Sequence, residues 1–148
     1  MQVKASPPQC FYCDAVVRPG FTSFQFSARL NDTLTEKAMN IGIIRCMQTE
    51  DFCPGSTDFK MVRERKGAFE GIEEDINITG FISCGGCPGK KAVLRAQELV
   101  KRGADTIVFA SCIQKGTPIG YPCPFAKKMR EVVIRAVGDS IRIMDYTH

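Results

Sequence analysis

Four short runs of β-branched and other apolar residues recur after residue 39 and predict four strands. They are NIGIIRC (40–46), INITGFISC (76–84), DTIVFASC (105–112) and SIRIMDYTH (140–148). Each run is rich in Ile or Val, which is the composition expected of strands in a buried sheet. Their apolar cores are strand-sized and too short to cross a membrane.

Three amphipathic segments lie between these runs and predict helices over 59–72, 90–103 and 125–138. In each segment the apolar residues recur every three or four positions and form one face. The residues predicted to face the core are Val62, Phe69, Ile72, Ala92, Val93, Ala96, Leu99, Val100, Phe125, Met129, Val132, Val133 and Ala136. Gly103 and Gly138 are placed to end the second and third helices.

The alternation of strands and helices predicts an α/β fold for residues 39–148. Such βαβ units form a parallel sheet with helices on both faces. With right-handed crossovers, the expected architecture is a three-layer, four-stranded parallel sheet of the flavodoxin-like or Rossmann-like kind. Residues 1–38 show no sustained period and are expected to be a loosely structured extension. Its Cys10 and Cys13 have zinc-knuckle spacing, but no second CxxC follows at the spacing of a zinc ribbon, so incidental cysteines are expected there.

Composition excludes several classes of function. The chain has 148 residues, a net charge of +4 and basic residues spread along its helices, so nucleic-acid binding is not expected. No secretory signal or membrane segment is evident, which predicts a cytoplasmic protein without a membrane partner. Eight cysteines are unusual for such a chain, and in a reducing compartment they favour metal binding or thiol chemistry over disulfides.

The cysteines repeat in a threefold pattern along the predicted fold. Cys46, Cys84 and Cys112 each close a predicted strand. A second cysteine then precedes a proline just ahead of each predicted helix; these are Cys53, Cys87 and Cys123. The only histidine, His148, follows the fourth strand. All seven are therefore expected at the carboxyl edge of the sheet, where open α/β sheets bind ligands.

This edge suits thiolates, because helix N-termini offer unpaired N–H groups and a positive dipole end. Gly85 and Gly86 would let backbone amides approach a bound sulfur or anion closely. The loop 113–124 is long for an α/β connection, and its Ile119 and Tyr121 are candidates to cover the cysteines. The loop 47–58 is the other candidate wall, with Ser56, Thr57 and Asp58 also able to cap a helix.

Three functions follow from this arrangement. The first is a metal site in which four or more of the six cysteines, with His148 a further candidate, hold zinc or an iron–sulfur cluster. The second is a thiol–disulfide oxidoreductase that uses Cys84 and Cys87. The third is a module for a nucleotide or anion, which no glycine fingerprint supports. The pattern leaves open the metal, any catalysed reaction and any protein partner.

Residues 39–148 resemble the CGGC-domain family, small prokaryotic proteins regarded as metal-binding domains. The resemblance is carried by IGIIRC, TEDFCPG, ISCGGCPGKK, the segment from GAD to ASC, KGTPIGYPCP and the closing TH. It implies a metal site made by the six cysteines of the domain and His148. One departure is Phe125, which follows the last Cys-Pro where relatives are expected to carry a histidine. The extension lies outside the resemblance.

Overall fold

The computed structural model describes residues 38–148. The expected extension, with Cys10 and Cys13, therefore lies outside the described residues except for Ala38. In the described part, no helix has the length and apolar character needed to cross a membrane.

This part of the chain contains four strands with helices between them, and two helices in succession connect β3 to β4. The strands are β1 (Met39–Arg45), β2 (Ile76–Ser83), β3 (Thr106–Phe109) and β4 (Arg142–Met144). The helices are α1 (Ser56–Glu64), α2 (Lys90–Lys101), α3 (Ser111–Gln114) and α4 (Ala126–Val137). Two short 3-10 turns complete the set, at Met47–Thr49 and Gly67–Phe69.

All neighbouring strands are parallel, in the order β2-β1-β3-β4. This is the flavodoxin-like order, and it confirms the predicted fold class. In this order β2 lies on one side of β1 and β3 lies on the other, so the connection from β2 to β3 crosses β1. The topological switch point, where such sheets bind ligands, is therefore at the carboxyl ends of β1 and β3.

Helices cover both faces of the sheet. An added Cβ on Gly80 of β2 would lie 2.5 Å from Leu99 of α2, so this face packs against α2. The next residue, Phe81, packs against Phe59 of α1 with ring centroids 4.9 Å apart. Because successive strand residues point to opposite faces, α1 and α2 lie on opposite sides. Since α4 packs against α2, the three predicted layers are present.

The core lies mainly between these layers. Its fully buried side chains include Ile41, Ile43 and Ile44 of β1, and Ile107, Val108 and Phe109 of β3. The continuous apolar runs predicted for these two strands fit this position, because central parallel strands are buried on both faces. The switch point is thus held by the most buried part of the molecule.

Two boundaries differ from the sequence-based expectation. The third strand ends at Phe109, so Cys112 lies in the short helix α3 rather than at a strand end. The first helix ends at Glu64, because Arg65 adopts a left-handed conformation with φ 51°. Gly103 and Gly138 both follow helix ends with positive φ, as predicted.

Candidate functional site

Each segment that runs from a cysteine after a strand through a Cys-Pro pair to a helix is here named a corner, and the cysteines of the three corners are Cys46 and Cys53, Cys84 and Cys87, and Cys112 and Cys123. In all three corners, the Cys-Pro pair lies the same number of residues ahead of its helix. Helices α1, α2 and α4 begin three residues after Cys53, Cys87 and Cys123, respectively. The prolines therefore lie ahead of the helices, as the sequence pattern predicts. At the third corner, the backbone N–H groups of Phe125 and Ala126 lie near the Cys123 sulfur and favour its thiolate, which lowers its pKa in part. This sulfur consequently sits over the positive end of α4.

The turn that follows β1 directs three successive backbone N–H groups at three different cysteine sulfurs. The Cys46 N–H donates to Cys112 Sγ at 3.1 Å. The Met47 N–H donates to Cys84 Sγ at 3.4 Å. The Gln48 N–H lies near the sulfur of Cys46 itself and favours its thiolate. One turn at the switch point thus places backbone N–H groups near one cysteine sulfur from each corner. Backbone N–H groups surround anionic sulfur in the same way in iron–sulfur sites.

Thr49 completes this turn and was missed by sequence reasoning. Its side chain is fully buried, and its hydroxyl donates to the Cys46 carbonyl at 2.8 Å. The same hydroxyl also lies within hydrogen-bonding reach of the Cys112 sulfur. A lone threonine in a polar loop carries no sequence signal for such a role, since the contact depends on a residue 63 positions away.

Burial makes three of these thiols hard to ionise. Desolvation raises the pKa of Cys46 from 9.0 to about 11, although the Gln48 N–H acts in the opposite direction. Desolvation likewise raises the pKa of Cys112 and of Cys123. Neighbouring thiols add to the rise, because thiolates repel one another. These sulfurs therefore stay neutral at neutral pH unless a positive charge is brought to them.

Four of the cysteines line a cavity of about 170 Å³, here named the sulfur cavity. They are Cys46, Cys87, Cys112 and Cys123. Ile119 and Tyr121 form part of its wall, which confirms the prediction that the loop 113–124 covers the cysteines. Gln48 and Pro124 also line it.

A second cavity of about 110 Å³, here named the mixed cavity, lies beside the first and also includes Cys112. Its other lining residues are Cys53, Thr57, Asp58, Thr117, Pro118 and His148. The structure therefore separates Cys53 and His148 from the sulfur cavity. Only Cys112, among the predicted ligands, lines both cavities.

Asp58 has a different role from the helix capping expected of it. Helix α1 is preceded by Gly55 in a left-handed conformation and has no side-chain cap. Asp58 instead is 3% exposed, and its Oδ1 accepts a short hydrogen bond from the Thr147 hydroxyl. Oδ1 also lies 3.4 Å from His148 Nδ1. This buried contact with His148 was not foreseen, because the two residues are far apart in sequence.

Residues 147 and 148 are anchored to α3 by Ser111. Its Oγ accepts hydrogen bonds from the backbone N–H groups of Thr147 at 3.3 Å and His148 at 2.9 Å. Lys115 Nζ donates to the His148 carbonyl at 2.7 Å. His148 is thus held next to the helix that carries Cys112, rather than extending from the end of β4.

The CGGC turn is shaped by its glycines. Gly85 and Gly86 have φ of +81° and +91°, the left-handed region that favours glycine. A side chain on Gly85 would also collide with Lys91, since an added Cβ would lie 2.6 Å from that residue's Cβ. Within this turn Cys84 is buried and Cys87 is exposed. The predicted role of both glycines in ligand binding stays a prediction.

The donors fit a thiophilic metal by type, but they do not surround one point. In residues 38–148 all six cysteines are free thiols. Over the same residues, no three His, Cys, Asp or Glu side chains are grouped closely enough to hold a metal ion as they stand. Binding would therefore require side chains at the edge to move together, while the N–H donors around the sulfurs are already in place.

These features define a small flavodoxin-like α/β protein with a cysteine-rich carboxyl edge. The CGGC domain model matches residues 40–148, and the chain belongs to this family. It is 34% identical over 93 residues to the uncharacterized protein MJ0582 of Methanocaldococcus jannaschii, covering 59% of this chain and 69% of that protein. It is 38% identical over 53 residues to the uncharacterized protein MJ0766 of the same organism, covering 35% and 76%. No solved structure matches the chain.

Proposed function

We propose that this protein binds zinc or an iron–sulfur cluster through thiolates of the sulfur cavity and of Cys84. The observation that carries the proposal is the turn after β1, whose backbone N–H groups reach Cys46, Cys84 and Cys112. Cys123 is the fourth ligand in this proposal, because N–H groups at the start of α4 lie near its sulfur and it shares a cavity with Cys46. Cys87, exposed on the CGGC turn, is the alternative fourth ligand.

Electrostatics supports a cation at this place. Several thiols share a desolvated edge, where each one that ionises opposes ionisation of the next. A bound metal supplies the positive charge that makes their thiolate forms stable, and an iron–sulfur cluster would also supply electron transfer. The chain contributes N–H groups that donate to the sulfurs and apolar walls, from Ile119 and Pro124, that limit water.

The thiol–disulfide alternative has less support. Cys84 and Cys87 are close in sequence, and one of them is exposed, as exchange requires. However, Cys84 is buried, which limits access to its sulfur in thiol–disulfide exchange. The Cys84 sulfur also accepts a hydrogen bond from the turn after β1, and the same turn contacts Cys46 and Cys112 of the other two corners.

Metal analysis and absorption spectroscopy of the anaerobically purified full-length chain test the proposal. We expect a bound metal, and we expect Cys84→Ser, Cys112→Ser and Cys123→Ser each to lose most of the metal of the sulfur cavity, since each removes a proposed ligand. The double variant Cys10→Ser/Cys13→Ser is the matched control and should retain the metal, because both residues lie outside the matched domain.

A folded, colourless and metal-free chain that also fails to take up zinc, cobalt(II) or a reconstituted cluster would contradict the proposal. If such a chain catalysed dithiol–disulfide exchange that depends on Cys84 and Cys87 but not on Cys46 or Cys112, the oxidoreductase would replace it.

A further inference from the structure

The mixed cavity is lined by a buried carboxylate, Asp58, which has no role in the metal site proposed for the sulfur cavity. Asp58 is 3% exposed, and buried charges in proteins are normally paired or bound to metals. Among the described residues, its only ion-pair contact is with His148, and no lysine or arginine reaches it. The pair stands on the wall of a cavity that also presents the thiols of Cys53 and Cys112.

The hydrogen bonds around this pair determine which ring nitrogen of His148 carries a proton. The Thr147 hydroxyl donates its only proton to Asp58 Oδ1. His148 Nδ1 lies 3.1 Å from that hydroxyl oxygen and 3.4 Å from Oδ1, both of which act as acceptors. Nδ1 is therefore the donor. In a neutral ring this tautomer leaves the lone pair of Nε2 available to a ligand.

A carboxylate that accepts from one nitrogen of a histidine, while the other nitrogen binds a metal, is a recurrent arrangement in zinc proteins. We propose that the mixed cavity is a second zinc site, with Cys53, Cys112 and His148 Nε2 as ligands. Asp58 is a positioning residue that holds the ring through Nδ1. Since the three ligands line one cavity without converging on one point, zinc binding would require the two thiols to turn inward.

The cavity also leaves room beside the metal. Two thiolates and one imidazole make three protein ligands, the number found at zinc sites that keep a fourth position open for water or a substrate. A volume of about 110 Å³ accommodates a small polar ligand in that position. Ser111 and Lys115 keep His148 in place from the other side, through its backbone.

This inference rests on the proposed function only through Cys112, so the two sites can be tested separately. Zinc is titrated into the metal-free full-length chain, and bound zinc is counted after dialysis. We expect His148→Ala and Cys53→Ser each to lose roughly one zinc equivalent and Asp58→Asn to weaken that equivalent about 10- to 100-fold. Cys123→Ser should retain this equivalent and lose the metal of the sulfur cavity.

The matched control is Asp139→Asn, which removes an exposed carboxylate remote from both cavities and should change neither equivalent. The visible spectrum of bound cobalt(II) depends on the ligands of the metal, so it would not change if His148 and Asp58 had only a structural role. Its visible spectrum should change in His148→Ala and Asp58→Asn, since the ligand set of the second site changes. The circular dichroism of each variant is compared with that of the unmodified chain.

Unchanged zinc stoichiometry, affinity and cobalt spectrum in folded His148→Ala and Cys53→Ser would overturn the inference, and the Asp58–His148 contact would then be an ordinary ion pair. If these variants lose zinc while Cys84→Ser and Cys123→Ser do not, the second site stands and the proposed sulfur centre fails. If Asp58→Asn does not fold, His148→Ala and Cys53→Ser decide the matter.

Discussion

Cys46 shows how one thiol at this edge is subject to opposing effects. Its side chain is 6% exposed, so desolvation favours the neutral form and raises the pKa from 9.0 to about 11. The Gln48 N–H favours the thiolate but is outweighed. Without metal, the folded protein therefore holds the Cys46 proton more tightly than the unfolded chain does.

This difference predicts a pH dependence of the metal-free protein. Below pH 9 both the folded and unfolded states keep the Cys46 proton, and its contribution to stability is fully present. Between about pH 9 and 11 only the unfolded state has lost the proton, so the free energy of unfolding falls as the pH rises. At about 1.4 kcal/mol per pKa unit, the loss is of the order of 2 kcal/mol.

Urea denaturation at several pH values measures this loss, and Cys46→Ala is the control because lysines and tyrosines titrate in the same range. The slope between pH 9 and 11 should be shallower in Cys46→Ala. Equal slopes in the two proteins would show that Cys46 does not titrate as its burial predicts.

At the scale of elements, the strand–cysteine–helix corner is a repeated unit. The cysteine that precedes each major helix lies three residues ahead of it in all three corners. The cysteines before them are less regular, since Cys112 is carried by α3 and not by a strand. The repeat was visible in the sequence, but the insertion of α3 was not, because four residues are too few to show a helical period.

Packing of α2 on the sheet gives a prediction at the same scale. Gly42 of β1 and Gly80 of β2 are paired in register, and both face Leu99. A Cβ on Gly42 would lie 3.0 Å from Leu99 Cβ, which cannot rotate away, whereas one on Gly80 would meet only the flexible Cδ2. We expect Gly42→Ala to cost about 1–3 kcal/mol and Gly80→Ala less.

Chemical denaturation of both variants checks this order. In the Leu99→Ala background, Gly42→Ala should cost less than it does alone, because the side chain that it meets has been shortened. Additive effects of the two substitutions, or a larger cost for Gly80→Ala, would contradict the packing described for α2.

For the whole molecule, the strand order decides which cysteines meet. The order β2-β1-β3-β4 puts β1 between β2 and β3, so the chain segments after these three strands lie side by side. The turn after β1 can therefore reach both Cys84, which follows β2, and Cys112, which follows β3. A different order of the same strands would separate these residues.

If a metal ion or cluster binds cysteines from all three corners, it should stabilise the whole fold. A ligand that binds only the folded state adds about 2.7 kcal/mol at a free concentration 100 times its dissociation constant. We therefore expect zinc to raise the Tm of the metal-free full-length chain in calorimetry, and a chelator to reverse the rise. The double variant Cys84→Ser/Cys123→Ser should show a smaller rise, and an undiminished one would place the stabilising metal elsewhere.

The sequence by itself determined the fold class and the positions of the three corners. Apolar periodicity reports which residues a helix or strand buries, and the position of Cys-Pro before each helix is a local feature. The amphipathic pattern also identified most core-facing residues of α2 and α4, but it was wrong for Phe125, which precedes α4 and is exposed. It did not define the end of α1, where Arg65 takes a left-handed conformation that arginine rarely adopts.

Only the tertiary structure decided how six of the seven predicted ligands are shared between two cavities, while Cys84 lines neither of them. Cys53 and His148 join Asp58, whereas Cys46, Cys87 and Cys123 face Ile119 and Tyr121. The roles of Thr49, Ser111, Thr147 and Asp58 also depend on it. The physical reason is that these contacts are between residues remote in sequence. Their hydrogen bonds depend on the strand order and on the short helix α3, and neither of these produces a periodic pattern in the sequence.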